Sequence, residues 1–152
     1  MLSQKAKYAL KALLVLAKEY GQGPVLIADI AQRETIPRKF LELILLDLKN
    51  SGMLQSKKGK HGGYFLIKRP NEISFGQVLR VLEGPLAPLP CVSRTAYMRC
   101  LECRDERVCP IRMVMKDVWA ATVQILDSTT LADALKRVES AVQGKENQPY
   151  AI

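Results

Sequence analysis

Two short helical patterns in close succession, followed at once by a glycine-rich hairpin pattern, constrain the fold of this chain most. The first helical pattern covers residues 26–33. The second opens with Pro37, which suits the first position of a helix because its missing N–H would have no partner there. It runs to Gly52, which suits the left-handed backbone after a helix end. Its apolar stripe recurs at helical spacing: Leu41, Ile44, Leu45 and Leu48.

The segment after Gly52 predicts two short strands, over residues 53–56 and 64–67, joined by a basic loop with three glycines. No acidic residue occurs from residue 53 to residue 70. Two helices joined by a tight turn place the second helix in the major groove of DNA, and a hairpin directly after it is a wing that contacts phosphates or a minor groove. The sequence therefore predicts a winged helix-turn-helix.

The candidate DNA-contacting side chains lie at the start of the second helix and at the tip of the wing. They are Pro37, Arg38, Lys39, Glu42, Lys57, Lys58, Lys60 and His61. The net charge of +8, from 23 basic and 15 acidic residues, agrees with a polyanionic partner. The opposing interpretation is a solvated hairpin on a metal-binding redox protein whose positive charge is incidental.

The rest of the chain predicts further helices. A first helix starts after Ser3, and a capping box at Ser74 opens another that ends at Gly84. A long helix (α5) is expected from residue 110 to 126, and a closing helix from residue 131 to 138. Steps of three and four along the long helix define an apolar line, the α5 seam, which predicts packing within the chain or a homodimer: Ile111, Val114, Val118, Ala121 and Ile125.

We therefore expect a mostly α fold with a small β-hairpin, in which a winged helix-turn-helix domain is joined to a long C-terminal dimerisation helix. The DNA-binding domain spans residues 1–84, and a proline spacer with a cysteine-rich loop spans 85–110. The dimerisation and closing helices span 111–140, and a disordered tail spans 141–152. A two-fold dimer would read a palindromic operator in double-stranded DNA.

All four cysteines fall within residues 91–109, in a polar and charge-rich stretch that solvent should reach: Cys91, Cys100, Cys103 and Cys109. The early lysines argue against a signal peptide, and no apolar run is long enough to span a membrane, so we expect a cytoplasmic protein with reduced thiols. Clustered thiols then predict an iron–sulfur cluster, a zinc site or a thiol switch, with a disulfide as a minor alternative. Nearby arginines, Arg99, Arg104 and Arg107, would lower thiol pKa values in a switch.

A catalytic role has little support. The chain lacks a phosphate-binding glycine loop, and its single histidine, His61, lies in the predicted wing. We therefore expect a protein that is not an enzyme.

Several segments together resemble a known family, the winged-helix transcription regulators that include IscR, NsrR, RirA and CymR. They are KAKYALKALLVLA, IPRKFLELILLDLKNSGML, SKKGKHGGYFLIKRP, ISFGQVLRVLEG, the cysteine loop and TTLADAL. The resemblance covers nearly the whole length. It implies a transcription regulator whose affinity for DNA changes with the state of an iron–sulfur cluster, although other members lack the cluster and respond through thiols or partner proteins.

By this resemblance, Cys103 and Cys109 match the latter two cluster ligands, and Cys91 matches the first. The gap from Cys91 to Cys103 is longer than usual in the family, and Cys100 is additional. Arg112 stands where some members carry a histidine ligand, and Lys7 is the residue offered near the N-terminus, where others use an acidic one. Cys100 is the local candidate for the fourth ligand of a 2Fe–2S or 4Fe–4S cluster.

Overall fold

A computed structural model describes residues 2–146, which form six α-helices and one antiparallel two-stranded sheet. This confirms the mostly α fold with a small hairpin. In chain order the elements are α1 (Gln4–Lys18), α2 (Ile27–Glu34), α3 (Arg38–Asn50), β1 (Leu54–Lys57), β2 (Gly63–Leu66), α4 (Phe75–Glu83), α5 (Pro110–Ser128) and α6 (Leu131–Glu146).

Helix α1 lies at the centre of the core. The Ala6 N–H donates to Ser3 Oγ at 3.1 Å, so Ser3 caps the helix as its position predicts. Alanines at Ala6, Ala9 and Ala12 are fully buried, and their small side chains let neighbouring elements approach closely. As a result, α1 contacts α2, α3, α4, α6 and β2.

Helix α3 buries the predicted stripe and begins one residue later than predicted. Leu41, Ile44, Leu45 and Leu48 are all buried. Pro37 is the N-cap and not the first helical residue, because its ψ of 125° is extended while its carbonyl already accepts from the Leu41 N–H at 3.0 Å. Gly52 has φ +81°, which confirms the left-handed position after the helix.

The wing is present, with both strands shifted by one residue from the predicted bounds. Leu54 pairs with Leu66, and Lys57 pairs with Gly63. A single-residue bridge extends the sheet, because Val25 and Tyr64 exchange two backbone hydrogen bonds of 2.8 Å. Gly63 has φ +138° and lies so close to the Val25 carbonyl that a Cβ atom would clash there. This bridge anchors the wing to the segment before α2.

The C-terminal helices pack back on the N-terminal elements. The capping box of α4 is confirmed, with Ser74 and Gln77 bonded to each other's backbone N–H groups. Leu131, at the start of α6, is fully buried against the core. Thr130 and Asp133 cap α6, because the side chain of each accepts a hydrogen bond from the backbone N–H of the other. No helix within residues 2–146 is long and apolar enough to cross a membrane.

Helix α6 is longer than expected. Residues 141–146 continue the helix, so the prediction of disorder is wrong for them, because Ala141 and Gln143 favour a helix and Gly144 falls near its end. Residues 147–152 of the predicted tail lie outside the described residues.

Candidate DNA interface and cysteine loop

The side chains predicted to contact DNA are all exposed. Pro37, Arg38, Lys39 and Glu42 lie at the start of α3, where Arg38 and Glu42 form an ion pair of 3.5 Å one helical turn apart. Both partners are more than half exposed, so this pair contributes little to stability and leaves both groups available to a ligand.

The basic tip of the wing follows α3 directly, and its predicted contacts are exposed as well: Lys57, Lys58, Lys60 and His61. Lys49 Nζ, near the end of α3, donates to Ser56 Oγ in β1 at 2.7 Å, and α3 packs against β1. Helix and wing are therefore held to each other, so that a duplex bound by α3 would meet a wing in a fixed position.

Two exposed leucines on α3 were not predicted from the sequence as surface residues. Leu43 is 61% exposed and Leu46 is 50% exposed. The signal was available, because neither residue falls on the stripe formed by Leu41, Ile44, Leu45 and Leu48. In the leucine-rich segment LELILLDL, composition alone does not show which leucines face the core.

The α5 seam is exposed along its whole length. Ile111, Val114, Val118 and Ile125 are 49–66% exposed, and Ala121 is exposed as well. The seam therefore does not pack within the described chain, and a homodimer stays a prediction. An apolar line of this length is typical of a helix that packs against a partner.

The four cysteines occupy different environments. Cys91 lies in a short 3-10 turn (Pro90–Val92) and is buried, contrary to the expectation that solvent reaches all four thiols. The turn folds back because Met98 N–H donates to the Pro90 carbonyl at 3.2 Å. Cys103 and Cys109 are partly buried, and Cys100 is exposed.

Cys91 also borders a cleft of about 890 Å³ between α4, the proline segment and α5. Arg112 and Trp119 line the same cleft from α5. The Arg112 Nε–H donates to the Cys91 carbonyl at 3.1 Å, which fixes the turn to the first turn of α5.

Cys109 is the N-cap of α5, and its Sγ accepts from the Arg112 N–H at 3.5 Å. Cys103 lies next to it. Desolvation in the loop, followed by the charge and hydrogen bond of Cys109 and the charge of Cys100, raises the pKa of Cys103. The expected lowering by arginines is therefore wrong for Cys103. The reason is that desolvation and the neighbouring thiols Cys109 and Cys100 dominate the shift of this thiol.

The four thiols have the right chemistry to bind an iron–sulfur cluster or zinc, but only some of them lie close together. Four soft sulfur donors within one loop are the ligand type that iron–sulfur clusters and zinc take. Within residues 2–146, however, no three Cys, His, Asp or Glu side chains converge as metal ligands. Cys103 and Cys109 adjoin each other, with Cys100 near Cys103.

Comparison with known proteins identifies the family. The family of iron-dependent transcriptional regulators named Rrf2 matches residues 2–137. This chain belongs to the Rrf2 family. A putative regulator of the rrf2-like type from Rhodobacter capsulatus is 46% identical over 138 residues, which cover 89% of this chain and 92% of the relative.

Two solved structures have the same fold. CymR, the global cysteine regulator of B. subtilis, has a TM-score of 0.77 and 33% identity, covering 90% of this chain and 97% of that one. IscR of T. potens has a TM-score of 0.74 and 28% identity, covering 99% and 93%. The chain is thus a winged-helix regulator of transcription and not an enzyme, as predicted. The finer assignments of its site residues stay predictions.

Proposed function

We propose that this member of the Rrf2 family is a cytoplasmic homodimer that binds a palindromic operator, and that an iron–sulfur cluster at the cysteine loop sets its affinity for that operator. Arg38, Lys39 and Glu42 of α3 would face base edges, and the wing lysines would face phosphates. The α5 seams of two protomers would pack together. Cys91, Cys103 and Cys109 would hold the cluster, with Cys100 as the fourth ligand.

The observation that carries this proposal is the position of α5. Its first turn is capped by Cys109 and bonded through Arg112 to Cys91. At its other end, Asp127 accepts two hydrogen bonds from Arg80 of α4, at 2.7 and 2.9 Å. One rigid element therefore joins the thiols to the winged-helix body, so a change in the loop has a direct mechanical route to that body.

The backbone strengthens the same joint. The Phe75 N–H donates to the Thr129 carbonyl, and the Leu131 N–H donates to the Ile73 carbonyl, both at 2.9 Å. Helix α4 in turn packs against α1 and α3. A bound cluster would supply a redox-active group. The residues of the chain would position it against α5 and transmit its presence through α4 to α3.

A second candidate is a thiol-redox regulator without a cluster, and the contact between Cys103 and Cys109 favours it. Two adjacent thiols can pair on oxidation. The raised pKa of Cys103 weighs against fast reaction at neutral pH, because the thiolate is the reactive form. A structural zinc site is the lesser alternative for the same four residues.

The iron and sulfide content of protein purified without oxygen tests these candidates. We expect wild-type protein to contain both, and Cys91→Ala, Cys103→Ala and Cys109→Ala to contain neither. The matched variant Cys100→Ala should retain a cluster in which water, a small thiol or another residue takes the fourth site. Circular dichroism would establish that the four variants are folded, which matters most at the buried Cys91.

The other outcomes are equally informative. Stoichiometric zinc without sulfide in wild-type protein would contradict the cluster and support a zinc site. Protein without metal whose Cys103 and Cys109 pair reversibly on oxidation would support the thiol switch.

A further inference from the structure

The outward face of α3 is apolar at its centre. Successive residues of a helix are rotated by roughly 100°, so Lys39, Leu43 and Leu46 form one line on the side opposite the buried stripe. Arg38 and Glu42 lie to one side of this line and pair with each other. The centre of this line is therefore two large aliphatic side chains, which are 61% and 50% exposed.

The charged residues around Leu43 and Leu46 indicate what kind of molecule this face binds. Arg38, Lys39 and Lys49 are exposed on the same face, and the wing adds three lysines beside it. A second copy of this face would bring like charges together, which disfavours self-association through it. A basic rim around an apolar centre suits a polyanion that also presents apolar groups.

Duplex DNA offers one such group on its base edges. In the major groove, adenine, guanine and cytosine present hydrogen-bonding atoms, whereas thymine also presents the C5-methyl group. We infer that Leu43 and Leu46 contact thymine methyl groups and thereby select thymine at fixed positions of each half-site. This inference rests on the proposed DNA binding and deepens it, because it assigns base selection to apolar contacts besides the polar ones.

The test removes the methyl group alone. Wild-type protein first selects its preferred duplex from a random pool. Each thymine of that duplex is then replaced by uracil, one base pair at a time, and dissociation constants are measured for both duplexes. At one or more positions we expect uracil to weaken wild-type binding by roughly fourfold for each thymine methyl group that a leucine no longer contacts. This is the effect of exposing about one buried methylene group.

The double variant Leu43→Ala/Leu46→Ala should not distinguish uracil from thymine at those positions. Both side chains are largely exposed and alanine favours helix, so this variant should fold. Leu43→Gln, which keeps a long side chain but ends it in an amide, tests the first position separately. The matched control Val138→Ala removes a 54% exposed apolar side chain from α6 and should retain the full discrimination.

Other results overturn the inference. If wild-type and double variant show the same ratio of uracil to thymine affinity at every position, or if the selected duplex has no fixed thymine, the leucines do not read methyl groups. If the double variant has a different oligomeric state in light scattering and the same ratio of uracil to thymine affinity as wild type, Leu43 and Leu46 form a protein–protein contact. If wild-type protein enriches no sequence at all, the proposed DNA binding fails and the inference falls with it.

Discussion

At the scale of single residues, Arg80 and Asp127 form the best-defined polar contact between α4 and α5. The guanidinium binds both carboxylate oxygens, and this hydrogen bonding holds the pKa of Asp127 below its usual range. Gly76 lies against the same carboxylate, and any larger residue there would displace it. The Arg80–Asp127 pair therefore holds α5 in a defined position against α4 of the winged-helix domain.

Asp127→Asn should lower the free energy of unfolding at pH 7 by about 0.5–1 kcal/mol, a modest value because both side chains are about 40% exposed. The folded-state pKa is depressed, so the stabilisation is present above the unfolded pKa of roughly 3.9 and is lost as pH falls through the folded value. Urea unfolding at pH 7 and pH 3 should give a difference between variant and wild type that shrinks at pH 3.

Glu102→Gln is the control, since the Glu102 carboxylate has no ion-pair partner among the described residues. If Asp127→Asn lowers the free energy of unfolding equally at pH 7 and pH 3, the charge of the Asp127 carboxylate does not contribute to stability.

At the scale of elements, the sequence correctly predicted the helix ends that depend on residues close together in the chain. The cap at Ser3, the capping box at Ser74 and the left-handed Gly52 each depend on residues within one helical turn, and each is present. The Val25–Tyr64 bridge could not be predicted, because one residue carries no periodicity and its partner lies far along the chain.

The same limit applies to the cysteine loop. The sequence placed four thiols in one segment, but the burial of Cys91 depends on a turn closed by Met98 and on Arg112, which lies 21 residues away. The raised pKa of Cys103 likewise follows from desolvation and from the folded positions of Cys109 and Cys100 beside it.

The wing makes a quantitative prediction at this scale. If Lys57, Lys58 and Lys60 contact phosphates, each change to alanine should weaken binding to all sequences alike. The slope of log affinity against log salt should also fall by about one for each phosphate that a protomer no longer neutralises. Lys116→Ala on α5 is the control, because it removes one charge from the cleft that Cys91 borders, which no wing residue lines. An unchanged slope in all three wing variants would place the wing away from DNA.

At the scale of the whole molecule, a single chain leaves the α5 seam uncovered, while the opposite side of α5 faces α4 and the cleft that contains Cys91. One face of the helix is thus available to a partner, and the other is connected to the thiols. In the proposed dimer, the partner would therefore pack on α5 without covering the cysteine loop.

Val118→Glu should convert the proposed dimer to a folded monomer, because it places two like charges in the seam while Val118 is about half exposed in the single chain. Ala120→Glu adds the same charge on the other side of α5 and should remain dimeric. Light scattering gives the masses, and circular dichroism gives the fold. Equal masses for both variants would show that the seam is not the interface.

The most direct measurement of the central claim is operator affinity with and without the cluster. Protein purified without oxygen is measured against its selected duplex, and again after the iron has been removed by a chelator and the chelator by dialysis. We predict that wild-type affinity changes at least tenfold between the two states, and that Cys103→Ala and Cys109→Ala bind like the cluster-free protein in both. Equal affinities of iron-loaded and iron-free wild-type protein would contradict control of DNA binding by a cluster.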